Sequence, residues 1–194
     1  MRLLSTSLAV TFLLFAFGAR SLLQLRRTGR TGFVGLRKGA GRVEQAAGAL
    51  LLVVMLLSPV APWAGRLLWS RGHVPGAVVA LVGIVSTIVA QLQMGESWRI
   101  GVDCSERTQL KTDGLFALVR NPIFSAMLVC SIGQALVAPT ALAVALPLLL
   151  LVALEVQVRL VEEPHLVRTH GDAYREWACR TGRFLPGIGR LDRE

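Results

Sequence analysis

Negative charge is scarce in this sequence: 12 Asp and Glu stand against 21 Arg and Lys in 194 residues, a formal net charge of +9. Lysine is scarcer still, since only Lys38 and Lys111 among the basic residues are not arginine. There are three cysteines, Cys104, Cys130 and Cys179, an odd and scattered set without metal-ligand spacing, which excludes a disulfide framework and a zinc motif. His73, His165 and His170 lack metal-binding partners at suitable spacing and read as surface or capping groups. No nucleophilic triad, internal repeat or low-complexity segment is visible. A strongly basic chain suggests nucleic acid first. Here the basic residues lie between long apolar runs, 53% of the residues are apolar and the mean hydropathy is +0.57. That segregation is membrane topology, and no nucleic-acid partner is expected.

A span needs about 20 mostly apolar residues. The first runs from Leu3 to about Leu25; it is too long for a signal peptide and is stopped by Arg26-Arg27, so it is read as a retained helix. A basic loop follows, from Arg26 to Arg42. The second span runs from Ala46 to Trp69 and is kinked, or ends early near Trp63, at Ser58-Pro59 and Pro62. The third covers Val74 to Gln93, with Trp63 and Trp69 as interfacial residues. After a polar stretch, Met94 to Asn121, the chain is apolar from Pro122 to about Val158. This run is broken only at Ala138-Pro139-Thr140, as two short spans joined by a tight turn would be.

The expectation is an all-α polytopic membrane protein of about five transmembrane helices. The last two form a helical hairpin, and short cytoplasmic helices follow, stopped at Gly171 and Gly182. Residues 1–93 form the N-terminal helices and 94–194 the half that carries polar motifs. Placing the Arg26–Arg42 loop in the cytoplasm leaves only Arg2, Arg66 and Arg71 of the 21 basic residues outside. The positive-inside rule therefore puts the N-terminus outside and the C-terminus inside, in an inner membrane of bacterial type.

Two polar segments carry the chemistry. In Arg120-Asn121-Pro122, Asn is a preferred N-cap and Pro is favoured at the first helical position. A helix beginning there would leave free N–H groups around Ile123 to Ser125, an anion site at the membrane surface. In the second segment, Glu162-Glu163 either pair with Arg159, three and four residues earlier, or accept hydrogen bonds from hydroxyl or ammonium groups of a ligand. Tyr174 and Trp177 share one face of a short helix, for packing or for lining a pocket.

The order of these motifs resembles the isoprenylcysteine carboxyl methyltransferase family and its phospholipid methyltransferase relatives, which are integral-membrane enzymes. The resemblance rests on Leu110-Lys111-Thr112-Asp113-Gly114-Leu115-Phe116, Arg120-Asn121-Pro122-Ile123-Phe124, the apolar hairpin, Glu162-Glu163-Pro164-His165-Leu166, Gly171-Asp172-Ala173-Tyr174 and Pro186. It covers roughly residues 91 to 187. Asn121 stands where the family usually has His, and Phe116 and Phe124 where it has Tyr. The resemblance implies S-adenosylmethionine as cofactor, bound by Gly101, Thr108, Gln109, Leu110, Lys111, Phe116, Asn121, Pro122, Ile123, Phe124, Glu162, Glu163, Leu166 and Tyr174.

It also implies a lipophilic acceptor reaching the site from the bilayer, with membrane lipids as the surrounding partners. The family's substrate arginine position is held by Val158, with Arg159 one step later. Arg99 and Arg159, both at cytoplasmic helix ends, are the candidates to orient an anionic acceptor, since arginine matches carboxylate geometry. Two other readings compete: a nicotinamide-dependent enzyme of the sterol-reductase type, and a non-enzymatic membrane adaptor or transporter.

Overall fold

The structure, a computed structural model, describes residues 1–32, 41–98 and 110–192. Their regular elements are all helical, and extended pairing is confined to two isolated bridges, Val119 with Gly182 and Leu185 with Ile188. We number the helices α1 (Arg2–Thr28), α2 (Arg42–Leu57), α3 (His73–Met94), α4 (Leu115–Leu118), α5 (Pro122–Val137), α6 (Ala141–His170) and α7 (Asp172–Arg180). α1, α3 and α6 are long and apolar enough to cross a membrane, and α5 is a shorter apolar helix. The 22 residues of α3 rise about 33 Å, matching a hydrocarbon core of roughly 30 Å. The 30 residues of α6 rise about 45 Å, so one end stands clear of the core. The fold is an all-α membrane bundle.

Several boundaries differ from the sequence-based expectation. The second helix starts at Arg42 and stops at Leu57, and the Ser58-Pro59 step passes into a 3-10 turn at Ala61–Trp63. Most of the expected Arg26–Arg42 loop lies outside the described residues; Arg26 and Arg27 belong to the last turn of α1. The last long helix runs well past Val158, because a π-turn at Val158–Glu162 carries the helix through to His170. Gly171, at φ 56°, stops it as expected.

α3 and α5 pack along their lengths, while α6 packs against both α2 and α5. Small residues make the α3–α5 contact possible. A Cβ on Gly76 would lie 2.8 Å from the Leu136 Cβ and the Val137 nitrogen. One on Gly83 would strike the Cys130 backbone, and one on Gly133 would strike Ala80. Lipid offers helices no hydrophobic drive to associate, so backbone approach of this kind supplies the packing energy. Around it sits an apolar core that includes Leu8, Phe12, Val54, Ile84, Met127, Leu150 and Leu154.

Polar side chains fix the ends of the bundle. At one end the Thr140 hydroxyl caps α6 through the Ala143 N–H at 3.1 Å and donates to the Ala61 carbonyl at 2.6 Å. Leu68 N–H donates to the Pro139 carbonyl at 2.7 Å. At the other end α1 is widened by a π-turn at Leu14–Ala19, and the Gln91 side chain donates to the Ala16 carbonyl at 2.9 Å. One turn on, the buried Arg20 donates to the Gly95 carbonyl at 2.5 Å and to the Gln24 side chain at 2.9 Å. Its guanidinium also lies over the Trp98 ring, 4.6 Å from the centroid. α1 thereby fixes the end of α3, where the polar segment begins.

This packing makes a clear demand on mutants. Gly83→Leu should destabilise the detergent-solubilised protein by about 1–3 kcal/mol of overpacking or more, seen as a lower thermal unfolding midpoint. Gly18→Ala, at a position with nothing within 4 Å of the added Cβ, should leave it unchanged or raise it. Equal midpoints for Gly83→Leu and wild type would contradict the close α3–α5 contact.

Candidate functional site

The site is built where α5 begins and α6 leaves the apolar layer. Glu163 is a buried carboxylate, 7% exposed, and an unpaired charge at such a position would be costly. It is held by two buried arginines. Its Oε1 accepts from Arg120 Nη2 at 2.6 Å and from Arg183 Nε at 2.9 Å, and its Oε2 accepts from Arg183 Nη2 at 3.0 Å. The Arg183 contact is the bidentate fork that makes arginine–carboxylate pairs strong.

Local sequence explains why Glu163 faces inward. Pro164 cannot donate a backbone hydrogen bond, and its ring crowds the carbonyl one turn earlier. The π-turn just before it absorbs this: Glu163 N–H donates to the Val158 carbonyl, five residues back. Val158 is buried, whereas Arg159 points outward with its side chain 59% exposed.

Arg120 and Arg183 also fasten the C-terminal tail to α5. Arg120 Nη1 donates to the carbonyls of Ala178 at 2.9 Å and Thr181 at 2.5 Å, and Nη2 to that of Gly189 at 2.8 Å. The Arg120 N–H donates to the Gly182 carbonyl at 2.7 Å. Both Asn121 donors, the backbone N–H and Nδ2, reach the Arg183 carbonyl at 3.1 and 3.2 Å. The Ser125 hydroxyl donates to the Phe184 carbonyl at 2.7 Å. Gly182 permits the crossing, since a Cβ there would strike the Leu185 carbonyl.

This geometry corrects two expectations. Asn121 occupies the N-cap position of α5, but its side chain makes no capping bond, because its amide is committed to the tail. The N–H groups of Ile123 and Phe124 have no acceptor within the helix, as in any first turn, and no side-chain cap covers them. Arg159, in turn, pairs with Glu155 rather than with Glu162 or Glu163. Glu155 also meets Arg183 at 3.4 Å, so Arg159 joins the buried cluster through a shared carboxylate.

The structure thus brings together Asn121, Pro122, Glu163 and Tyr174 from the predicted set. Tyr174 is 1% exposed, and burial foremost, then the nearby charges of Glu163 and Glu162, push its hydroxyl pKa up, so it stays protonated. Glu162 is half-buried at the end of the π-turn, and Leu166 is half-buried one turn later. Phe116 is buried in α4, whose first N–H, on Leu115, is capped by the Gln93 side chain at 2.9 Å. Leu110 is half-buried, and Lys111 pairs with Asp113 at 3.0 Å. Arg99, Gly101, Thr108 and Gln109 lie outside the described residues. Among the described residues no group of His, Cys, Asp and Glu could hold a metal ion.

Sequence reasoning missed the two residues that organise this region. Arg120 was legible only as the first letter of its motif. Arg183 carried no signal at all, because a buried tail arginine reads like any other positive-inside charge. The one available hint was Glu163 itself, a carboxylate at an apolar boundary that needs a cation.

An apolar helical bundle with three helices long enough to cross a bilayer, and a buried polar cluster where α5 begins, defines the class as a membrane protein. The chain belongs to the phospholipid methyltransferase family, whose model matches residues 72–173, just over half the chain. Among solved structures it resembles a eukaryotic intramembrane Ras methyltransferase, isoprenylcysteine carboxyl methyltransferase, with a TM-score of 0.63 at 19% identity. That match covers 94% of this chain and 66% of the other, so the chain spans just under two thirds of that protein's length. No curated protein sequence matches the chain.

The cluster is expected to hold the tail in place. Glu163→Ala strands two buried guanidinium groups and should cost about 3–5 kcal/mol, the penalty for breaking a buried pair. Glu163→Gln keeps acceptor oxygen and should cost less. Unfolding of both variants in detergent, followed by far-UV circular dichroism, would contradict this if Glu163→Ala matched wild type.

Proposed function

We propose that the chain is an S-adenosylmethionine-dependent methyltransferase of the bacterial-type inner membrane, acting on a lipophilic acceptor and most directly on a carboxylate oxygen. Family membership over residues 72–173 favours methyl transfer over the reductase and adaptor readings. The observation that carries the reading is the start of α5: an apolar helix whose first turn has no side-chain cap, and which Arg120, two residues before it, ties to Glu163 in the Glu162-Glu163 pair.

The residues present fit such a cofactor. The free N–H groups of Ile123 and Phe124 and the positive end of the α5 dipole suit an amino-acid carboxylate. Glu162 suits the hydroxyl or ammonium groups of the same molecule, because a carboxylate accepts from both. Glu163 has a different task here: with Arg120 and Arg183 it sets the position of the α5 start. Gly101, Thr108, Gln109, Leu110, Lys111, Phe116 and Leu166 complete the proposed pocket.

When bound, S-adenosylmethionine supplies a methyl group on a sulfonium carbon open to in-line displacement. The protein's contribution is orientation and desolvation. A carboxylate acceptor needs no general base, so Tyr174, kept protonated, is consistent with this chemistry. Arg159 is exposed at the lipid boundary beside Glu155, and with Arg99 it would hold an anionic head group. The charge split of the sequence supports a cytoplasmic site, with the N-terminus outside.

The test is an assay of purified protein with labelled cofactor against fatty acids, isoprenoid acids and ethanolamine lipids. Methyl esters of the acids are expected. Arg99→Gln and Arg159→Gln should each raise the acid KM roughly tenfold or more, in line with the about 1.5–3 kcal/mol of a hydrogen bond to a charged group. Methylation of the amine lipids alone, or acid methylation indifferent to both substitutions, would contradict the carboxylate assignment.

A further inference from the structure

The tail beyond α7 ends in a turn whose exposed residues are not those of a water-facing loop. Arg183 N–H donates to the Ile188 carbonyl at 2.7 Å, and Ile188 N–H donates to the Leu185 carbonyl at 3.1 Å. Gly187 and Gly189, at φ 77° and 73°, allow the chain to fold back this tightly. At its tip Leu185 is 58% exposed and Ile188 63% exposed. The rest of the tail follows the opposite rule: the exposed positions of α7 include Asp172, Arg175, Glu176 and Arg180. Two large aliphatic side chains are thus presented outward by a turn fixed by backbone hydrogen bonds, with exposed Arg190 two residues after Ile188 and exposed Arg180, 3.7 Å from Glu176, at the end of α7 before it.

The depth of the turn decides what it faces. Phe184 is tied by its carbonyl to the Ser125 hydroxyl, and Ser125 lies one turn inside α5. Leu185, the next residue, is therefore held level with the first turn of an apolar helix, where protein meets the lipid boundary. Arg183, at the base of the turn, reaches Glu155 on α6, eight residues before Glu163 towards the apolar layer. In water the tip would expose apolar surface at a cost; at the bilayer interface the same side chains are buried in the acyl boundary while the arginines stay at head-group level.

We propose that the Leu185–Ile188 turn is an interfacial foot that dips into the leaflet beside α5, with Arg180 and Arg190 drawing anionic phospholipid to it. This inference rests on the membrane fold and not on methyl transfer, so it stands or falls separately from the enzymatic reading.

The unmodified chain can be tested in vesicles containing a phospholipid with a photoactivatable carbene on its acyl chain close to the head group. Mass spectrometry should find lipid adducts on Leu185 and Ile188, and none on Asp172 or Glu176. Adduct yield should be higher in phosphatidylglycerol than in phosphatidylcholine vesicles, and Arg180→Gln with Arg190→Gln should remove that difference. Absence of adducts at 185 and 188 while Leu160, 58% exposed in the π-turn of α6, is labelled would overturn the proposal, whether water or a second copy covers the turn. Equal yields in the two lipids would overturn its anionic part.

Discussion

The architecture around the start of α5 depends on one buried carboxylate. Glu163 would be intolerable alone in an apolar boundary, and the two guanidinium groups that neutralise it come from distant parts of the chain. Arg120 stands just before α5 and Arg183 lies beyond α7, so a single residue on α6 joins three segments. Arg120 also donates through Nη1 to tail carbonyls and Arg183 through Nη1 to Glu155, while the buried Arg120 Nε has no partner among the described residues. The result is a rigid floor under the first turn of α5. Buried pairs of this kind add little net stability over apolar residues, but they restrict geometry, because few arrangements bring two guanidinium groups onto one carboxylate.

The bundle supplies the other half of the constraint. α5 can serve as a fixed platform only if it does not slide along α3, and the interlocked backbones at Gly76, Gly83 and Gly133 prevent that. α1 contributes from outside the family match: Arg20 holds the Gly95 carbonyl and stacks over Trp98. Both the beginning and the end of the polar segment between α3 and α5 are thereby tied to the end of α3, by Arg20 at Gly95 and by Gln93 at Leu115. Helix packing and the Glu163 cluster together fix the first turn of α5.

Much of this was legible in the sequence. Apolar run lengths gave the helices, because a hydrocarbon layer of roughly 30 Å demands them. Asn121-Pro122 marked the start of α5, and Gly171 the end of α6. The joining of the last apolar run to the Glu163 segment was not legible, since a π-turn leaves no periodic signature. Nor was the role of Asn121, which looks like a cap but is a strap to the tail. The pairing of Glu163 was hidden for a simpler reason: local spacing pointed to Arg159, four residues away, while the actual partners lie 43 and 20 residues distant. Long-range ion pairs are set by tertiary packing, on which a sequence pattern is silent.

The central claim is that the α5 start and Glu162 together bind the cofactor. Calorimetric titration of S-adenosylhomocysteine into the detergent-purified protein tests it most directly. The account predicts saturable binding by the wild type, weakened by about 1.5–3 kcal/mol in Glu162→Ala, as expected for loss of hydrogen bonds to a charged group, with the unfolding midpoint unchanged. Absence of binding by the folded wild type, or identical affinity in the folded Glu162→Ala variant, would contradict it.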